Sequence, residues 1–405
     1  MIMKTVAEYK NACLQVSQPL PVFNVTLMGA VGCMLADDVR SLVDLPQRSC
    51  AAKTGYAVRA EDTLGASGVN PVRLMLESTQ AEKNGTGLPL QARHAMRIEA
   101  GVPLPPGADA VLSTVYAGSE KGEIAIIGEA EPGLNVHARA QDIAAGQVIL
   151  RAGIRIGSRQ VAVLSSAGQY SVPVHPKPRV VVMSVGDELL APGKPIEAGK
   201  IYDANSHALL AAATDAGAEV FRVGPVSDNP AVLRESLEDQ LVRADIIITT
   251  GGLVKDGHDS LCEVLEDFET VDFDSVAMSP GERLGVGKIS DTTIFCLPGE
   301  PVAALICFEI FIRPALRKMA GYMHTERRVL PARMVSGWES PEGLQEFVPA
   351  KVGGNPSRGY TAEPVCTVGN SFLSGLSRAN CLIAIPADTE LVQAGETVEC
   401  VVLDR

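Results

Sequence analysis

Residues 179–205 read RVVVMSVGDELLAPGKPIEAGKIYDAN. The opening run, Arg179–Ser184, is continuously apolar and β-branched, the pattern of a strand buried on both faces. It ends in a polar loop, Ser184–Val185–Gly186–Asp187–Glu188–Leu189, and a second polar stretch follows at Lys200–Ile201–Tyr202–Asp203–Ala204–Asn205. Downstream the same alternation repeats. Ser206–Ala216 has helical periodicity and closes on Gly217, Glu219–Val226 reads as a strand, and Asp228 is placed to cap a helix over Asn229–Arg243. Ala244–Thr250 is another buried strand, Asp259–Phe268 a helix, Thr293–Leu297 a further strand, and Pro301–Ala320 a long apolar helix with proline in its first turn. Strands alternating with helices predict a parallel sheet covered on both faces.

Outward from this segment the pattern changes. Pro173, Pro176 and Pro178 mark a linker. Residues 44–137 carry short apolar runs between Gly, Pro and Asn turns, which predicts β structure. Residues 1–22 predict a short helix, 23–43 a strand and a short helical stretch, 138–172 a further short β and helix passage, and 324–405 a small β domain.

A chain of 405 residues exceeds what one core usually serves. Hydrophobic residues make up 46% and aromatics 4%, so the core is aliphatic, which favours α/β layers. The net charge of −13, with no basic stripe, excludes a duplex-binding surface. No run approaches the roughly 18 apolar residues of a membrane span, and the start lacks the pattern of a signal peptide. Nine cysteines are scattered without a CxxC pair, which reads as reduced thiols in a cytoplasmic protein, with no zinc or haem motif.

In open α/β sheets, ligands sit beyond the carboxyl ends of the strands. The loops there are the two polar stretches above, Thr249–Thr250–Gly251–Gly252–Leu253 with Lys255, Asp256, His258 and Asp259 following, and Leu297–Pro298–Gly299–Glu300–Pro301. Paired glycines let backbone approach a ligand and aim N–H groups at an anion. Asp187, Glu188, Asp203, Asp228 and Asp259 either gather at one cleft, to bind a metal or the amino groups of a heterocycle, or Asp203, Asp228 and Asp259 cap helices; spacing favours capping. His258 reads as a metal ligand or, more simply, as a loop histidine. Glu300 stands at a helix N-terminus, where a carboxylate caps the helix and competes with an incoming anion.

Six blocks, in order, resemble the MoeA and gephyrin E-domain family of molybdenum-cofactor proteins: Gly55–Arg59, Arg97–Asp109, Asp142–Gly146, Ser184–Asn205, Thr250–Gly252 and Leu297–Val302. The GDEL and IYDAN stretches within Gly186–Asn205, found together with PLPPGAD at Pro103–Asp109, are specific. The resemblance spans nearly the whole chain. It implies a multidomain α/β plus β fold, which maps onto the elements above as a MogA-like α/β domain (1–22 and 173–323), a discontinuous linking domain (23–43 and 138–172), a β-rich second domain (44–137) and a small C-terminal β domain (324–405). It implies a homodimer that takes adenylylated molybdopterin and molybdate with Mg²⁺, cleaves the adenylate and leaves molybdenum on the dithiolene. It further implies catalytic roles for Asp142, Glu188, Asp228 and Asp259, with Asp228 and Asp259 also at the cation. Gly186, Asp187, Asp203, Gly251, Gly252, Lys255, Arg283, Pro298 and Gly299 are expected to bind the cofactor.

Several family positions read differently here. The acid of SAMDGYA is Thr54, the threonine of RIxTGAP is Ala100, a serine of GGVSxG is Val254, two lysines of KPGKP are Ser279 and Glu282, and the asparagine of PGNPVS is Glu300. The C-terminal GR pattern reads Gly343–Leu344. These changes remove cations and donors that a phosphorylated pterin and a molybdate dianion need. Lys53, Lys255 and Arg283 either replace them or are ordinary surface cations. Three readings follow: an enzyme of molybdenum insertion; a non-catalytic paralogue acting as cofactor chaperone or dimeric scaffold, with a molybdoenzyme or MogA-like protein as partner; or a site retuned to a less anionic, nucleotide-like ligand.

Overall fold

The computed structural model describes residues 3–77, 87–114, 117–120, 122–253, 260–268, 270–366 and 372–403. The chain forms two compact units, one of Met1–Phe23, Gly32–Ala36 and Val174–Arg405, the other of Asn24–Val31 and Asp37–Pro173.

The first unit is built on a six-stranded sheet in the order Glu219–Val226, Arg179–Val185, Ile246–Thr250, Thr292–Leu297, Arg283–Ile289, Val271–Ser275. The first four strands are parallel. Arg283–Ile289 runs antiparallel to both of its neighbours, so the sheet is mixed rather than wholly parallel. The sequence hid that strand because Gly285 and Gly287 break its apolar pattern, yet both glycines are required. A Cβ on Gly285 would lie 2.7 Å from the Phe273 ring, and one on Gly287 2.1 Å from the Thr270 carbonyl. Side chains of the central strand alternate between two cores. Val180 and Val182 join a cluster with Tyr9, Leu209, Phe308 and Phe311, while Val181, Met183 and Val185 join Leu233, Leu237, Leu261 and Leu265.

The helix Asn205–Ala216 ends as predicted on Gly217, whose φ of 104° suits only glycine. The helix Pro230–Leu241 is capped by Asn229, whose side chain accepts from Ala231 N and Val232 N, and not by Asp228. The expected single helix over 301–320 is three pieces: α-helix Pro301–Cys307, π-helix Phe308–Ile312 and α-helix Arg313–Met319. Pro314 lacks an N–H and its ring crowds the carbonyl four residues back, which a widened turn accommodates. The first predicted helix is Val6–Val16, closed by a capping box between Thr5 and Glu8.

Five strands of the C-terminal segment close on themselves, because Gln345–Asn355 pairs with both Gly359–Pro364 and Cys381–Ile385. Phe347 and Leu382 of this barrel are buried in the α/β core cluster. The second unit holds a six-stranded sheet over a core of Leu74, Leu112, Ile124 and Ile126. It also contains the two-stranded ribbon Cys50–Ala51 with Val136–His137. Among the described residues no helix is long and apolar enough to cross a membrane.

Candidate functional site

Pairing puts Ser184, Thr250 and Leu297 level at the carboxyl edge of the sheet. Consecutive parallel strands depart to opposite sides of Arg179–Val185, which makes the gap between it and Ile246–Thr250 the topological switch point. Two hydrogen-bonded latches assemble there.

The first is centred on Asp203, 1% exposed. Its Oδ1 accepts from Ser184 Oγ at 2.8 Å and from Ser206 N at 3.0 Å, its Oδ2 accepts from Ser206 Oγ, and Arg222 Nη1 stands 3.9 Å away. Asp203 therefore ties the helix start to the strand end. Its oxygens are turned inward and engaged within the protein. In the second latch, Asn205 Nδ2 donates to Thr250 Oγ1 and to the Gly299 carbonyl, both at 2.8 Å, and Thr250 Oγ1 donates to the Pro298 carbonyl at 2.8 Å. Asn205 Oδ1 is buried without a hydrogen-bond partner among the described residues.

The glycines at this edge divide by what their amides meet. Gly186 N donates to Val226 O at 3.0 Å and Gly251 N to Leu297 O at 3.3 Å, so neither amide is directed at an anion. Gly251 is there for close approach: φ is +87° and a Cβ would lie 2.3 Å from the Val185 carbonyl. Among the described residues the amides of Gly252 and Gly299 have no acceptor.

Asp187 and Asp228 meet at this edge. Hydrogen bonds from Ser227, and then from Asp228, hold the Asp187 carboxyl below its ordinary value. Partial desolvation, and then the neighbouring Asp187, push Asp228 up. Two carboxyls sharing one hydrogen bond behave this way because both cannot carry charge at contact. The Glu188 side chain is exposed, and its carbonyl accepts from Ile201 N at 2.9 Å.

Glu300 caps the helix Pro301–Cys307, its two oxygens accepting from Val302 N at 3.0 Å and Ala303 N at 2.6 Å. The amides an anion would use at that helix end are thus held by a carboxylate, as the sequence indicates. Arg283 donates from Nη2 to Cys262 Sγ at 3.4 Å, and its strand runs antiparallel to the site-forming ones. The Glu282 carbonyl accepts from Val276 N at 2.7 Å, and Ser279 pairs with the barrel strand at Glu346. Val254, Lys255, Asp256, His258 and Asp259 lie outside the described residues.

Asp142, Lys53 and Thr54 belong to the other unit. Thr54 Oγ1 accepts from Ala100 N at 3.2 Å, a bond between two of the altered family positions. Asp142, exposed, lines an open hollow of about 460 Å³ with Pro46, Cys50, His137 and Gln141. Sequence reasoning missed the roles of Ser206, Arg222 and Thr250; only the polar residue at a strand end, Thr250, left a trace in the pattern.

Three consecutive stretches match family models: residues 4–168 the MoeA N-terminal region (domain I and II), 181–318 a probable molybdopterin binding domain, and 331–403 the MoeA C-terminal region (domain IV). The chain is 35% identical to molybdopterin molybdenumtransferase 2 of Mycobacterium tuberculosis over 98% of its own length and 99% of the relative's. It is 33% identical to molybdopterin molybdenumtransferase 1 of the same organism, over 94% of each. A crystal structure of a molybdopterin biosynthesis MoeA protein from Pyrococcus horikoshii superposes with a TM-score of 0.82 at 29% identity, covering all of both chains. Matched from residue 4 to residue 403 and aligned end to end with relatives above 30% identity, the chain belongs to the MoeA family.

Proposed function

We propose that this chain binds molybdopterin, or its adenylylated form, at the carboxyl edge of the parallel strands as the acceptor for molybdenum. Family membership gives the setting, molybdenum cofactor biosynthesis. The observation that carries the reading is the second latch. Asn205 Oδ1 is a buried acceptor without a partner among the described residues, and the amides of Gly252 and Gly299 are donors without acceptors. Buried polar groups are normally satisfied, so the unpartnered Asn205 Oδ1 at a switch point supports a polar ligand there, with the half-buried Gly252 amide and the exposed Gly299 amide able to turn to it. A pterin carries amino and ring N–H donors for the asparagine, and its phosphate offers acceptors for the glycine amides.

In this reading Asn205 orients the heterocycle, Asp203 and Ser184 hold the helix that carries Asn205, and the glycines allow the ligand against the backbone. A divalent cation fits the residues present, since Mg²⁺ is commonly held by one or two carboxylates plus substrate phosphates. Asp187 and Asp228 would hold it, and it would supply charge neutralisation at the phosphates; Asp259 is a cation ligand by the family resemblance alone. Glu188 and Asp142 are kept as catalytic residues on the family resemblance alone. The remaining assignments, a homodimer in the cytoplasm, rest on the family resemblance, and Lys255 and Arg283 are kept as candidate replacements for the family cations that this sequence lacks.

A second reading has its own support. Glu300 occupies the helix N-terminus with negative charge. Together with the cations absent at Ser279 and Glu282, this favours a paralogue that binds weakly and acts as cofactor chaperone or scaffold.

Calorimetric titration with molybdopterin and with its adenylate, in Mg²⁺, with and without molybdate, tests both. Micromolar binding that Asn205→Leu weakens at least tenfold, followed by adenylate release, supports the enzyme. Binding without release supports the chaperone. Failure of both ligands to bind overturns the ligand assignment itself.

A further inference from the structure

The hollow beside Asp142 contains chemistry that the pterin reading does not use. In the ribbon Cys50–Ala51/Val136–His137, Cys50 stands directly opposite His137 and Ala51 opposite Val136. Ala51 and Val136 pack inward with Ile98 and Val111. Successive residues of a strand point to opposite faces, so Cys50 and His137 share the outer face, which is the wall of the hollow. Residues directly opposed in an antiparallel pair have Cβ atoms about 4.5–5.5 Å apart, within reach of a thiol–imidazole contact. Among the described residues no hydrogen bond or ion pair engages the side chains of Cys50, His137 or Asp142. Arg139, two residues on, is tied to Asp44 at 2.6 Å. Of the nine cysteines only Cys50 and Cys366 are half-exposed, and the other seven are buried.

We propose that Cys50 and His137 form a reactive thiol–imidazole pair, a site of thiol–disulfide exchange with small-molecule disulfides, and that the resulting adduct fills the hollow in which Asp142 stands. His137 takes the thiol proton. The Cys50 sulfur attacks one sulfur of the disulfide, a new S–S bond forms to Cys50, the original S–S bond breaks, and the departing thiolate receives the proton. The small disulfide is the oxidant and one of its halves leaves reduced, so electrons and protons balance. A free thiol is only a few per cent ionised near pH 7, so a base at hand accelerates attack by roughly tenfold or more. The consequence for ligand binding rests on the assignment of Asp142 to that ligand, whereas the exchange itself does not.

The test follows thiolate release from an aromatic disulfide reagent on the intact folded chain. One thiol should react at least tenfold faster than the second exposed thiol, Cys366. Cys50→Ser should abolish the fast phase, and Cys366→Ser should leave it. His137→Asn should slow it about tenfold at pH 7, with the difference closing as pH rises and the thiol ionises unaided; circular dichroism confirms that each variant is folded. A Cys50 no faster than Cys366, or a rate indifferent to His137 at every pH, overturns the proposal. Calorimetry on the Cys50 adduct is the separate arm. Loss of pterin binding by the adduct, with binding retained by unmodified protein, supports the blocking role. Undiminished binding by the adduct overturns that role. Absence of binding by unmodified protein condemns the pterin reading instead, and leaves the exchange to the rate data.

Discussion

At the scale of single residues, the carboxylates of this protein divide by what they touch. Asp203 is structural. It accepts three hydrogen bonds inside the protein and faces Arg222. Each bond contributes about 1 kcal/mol net, and more is lost when a partner is left unsatisfied. Asp203→Ala should therefore cost about 2–3 kcal/mol in urea unfolding, and should also weaken ligand binding by releasing Asn205. Asp203→Asn should lose less, because its carbonyl oxygen still accepts. Asp44 shows the pH side of the same chemistry. Hydrogen bonds from Ala145 N, and then from Arg139, hold its carboxyl below the ordinary 3.8. A depressed folded-state value means that the stabilisation is complete above the unfolded value and disappears as pH falls through the folded one. Asp44→Asn should then lower the melting temperature at pH 6, and the gap to wild type should close as pH falls below the ordinary carboxylate value and through the lowered folded-state one.

Among the elements, the helix starting at Pro301 carries the clearest functional tension. Asparagine caps a helix about as well as a carboxylate does, and the family pattern reads asparagine where this chain has Glu300. Glu300→Asn should change stability by less than about 0.5 kcal/mol. It should tighten binding of the phosphorylated pterin several-fold, since a negative charge leaves the positive end of the helix. Calorimetry on the two proteins decides it. Unchanged affinity would mean that the ligand's anion lies elsewhere. The strands show why elements were unequally legible. Arg179–Val185 and Ile246–Thr250 stood out because burial on both faces writes a continuous apolar run. Arg283–Ile289 did not, because close packing against Phe273 and Thr270 demanded glycines there. Similarly, Asp228 looked like a cap until Asn229 took that role, which freed Asp228 to meet Asp187.

For the molecule as a whole, the C-terminal barrel and the α/β layer share one core, since Phe347 and Leu382 are buried among helix and sheet residues of the first unit. The two should unfold together. Phe347→Ala should cost about 3–5 kcal/mol, and amide exchange should rise in the α/β strands as well as in the barrel. An increase confined to residues 324–403 would show that the barrel unfolds on its own.

Sequence by itself determined what depends on local pattern and on ordered motifs: the α/β character, the β-rich flanks, the loops at the strand ends and the family. Periodicity and turn chemistry act over a few residues, so they survive without knowledge of partners. Only the tertiary structure decided which polar groups meet. Ser184 and Ser206 close on Asp203, and Asn205 bridges Thr250 and Gly299, across separations of 3 to 94 residues. His137 faces Cys50 because a strand register brings together positions that no sequence spacing relates. Hydrogen bonds and proton transfer require contact within about 3 Å, and contact at that range between distant residues is set by the fold's packing, not by the order of the chain.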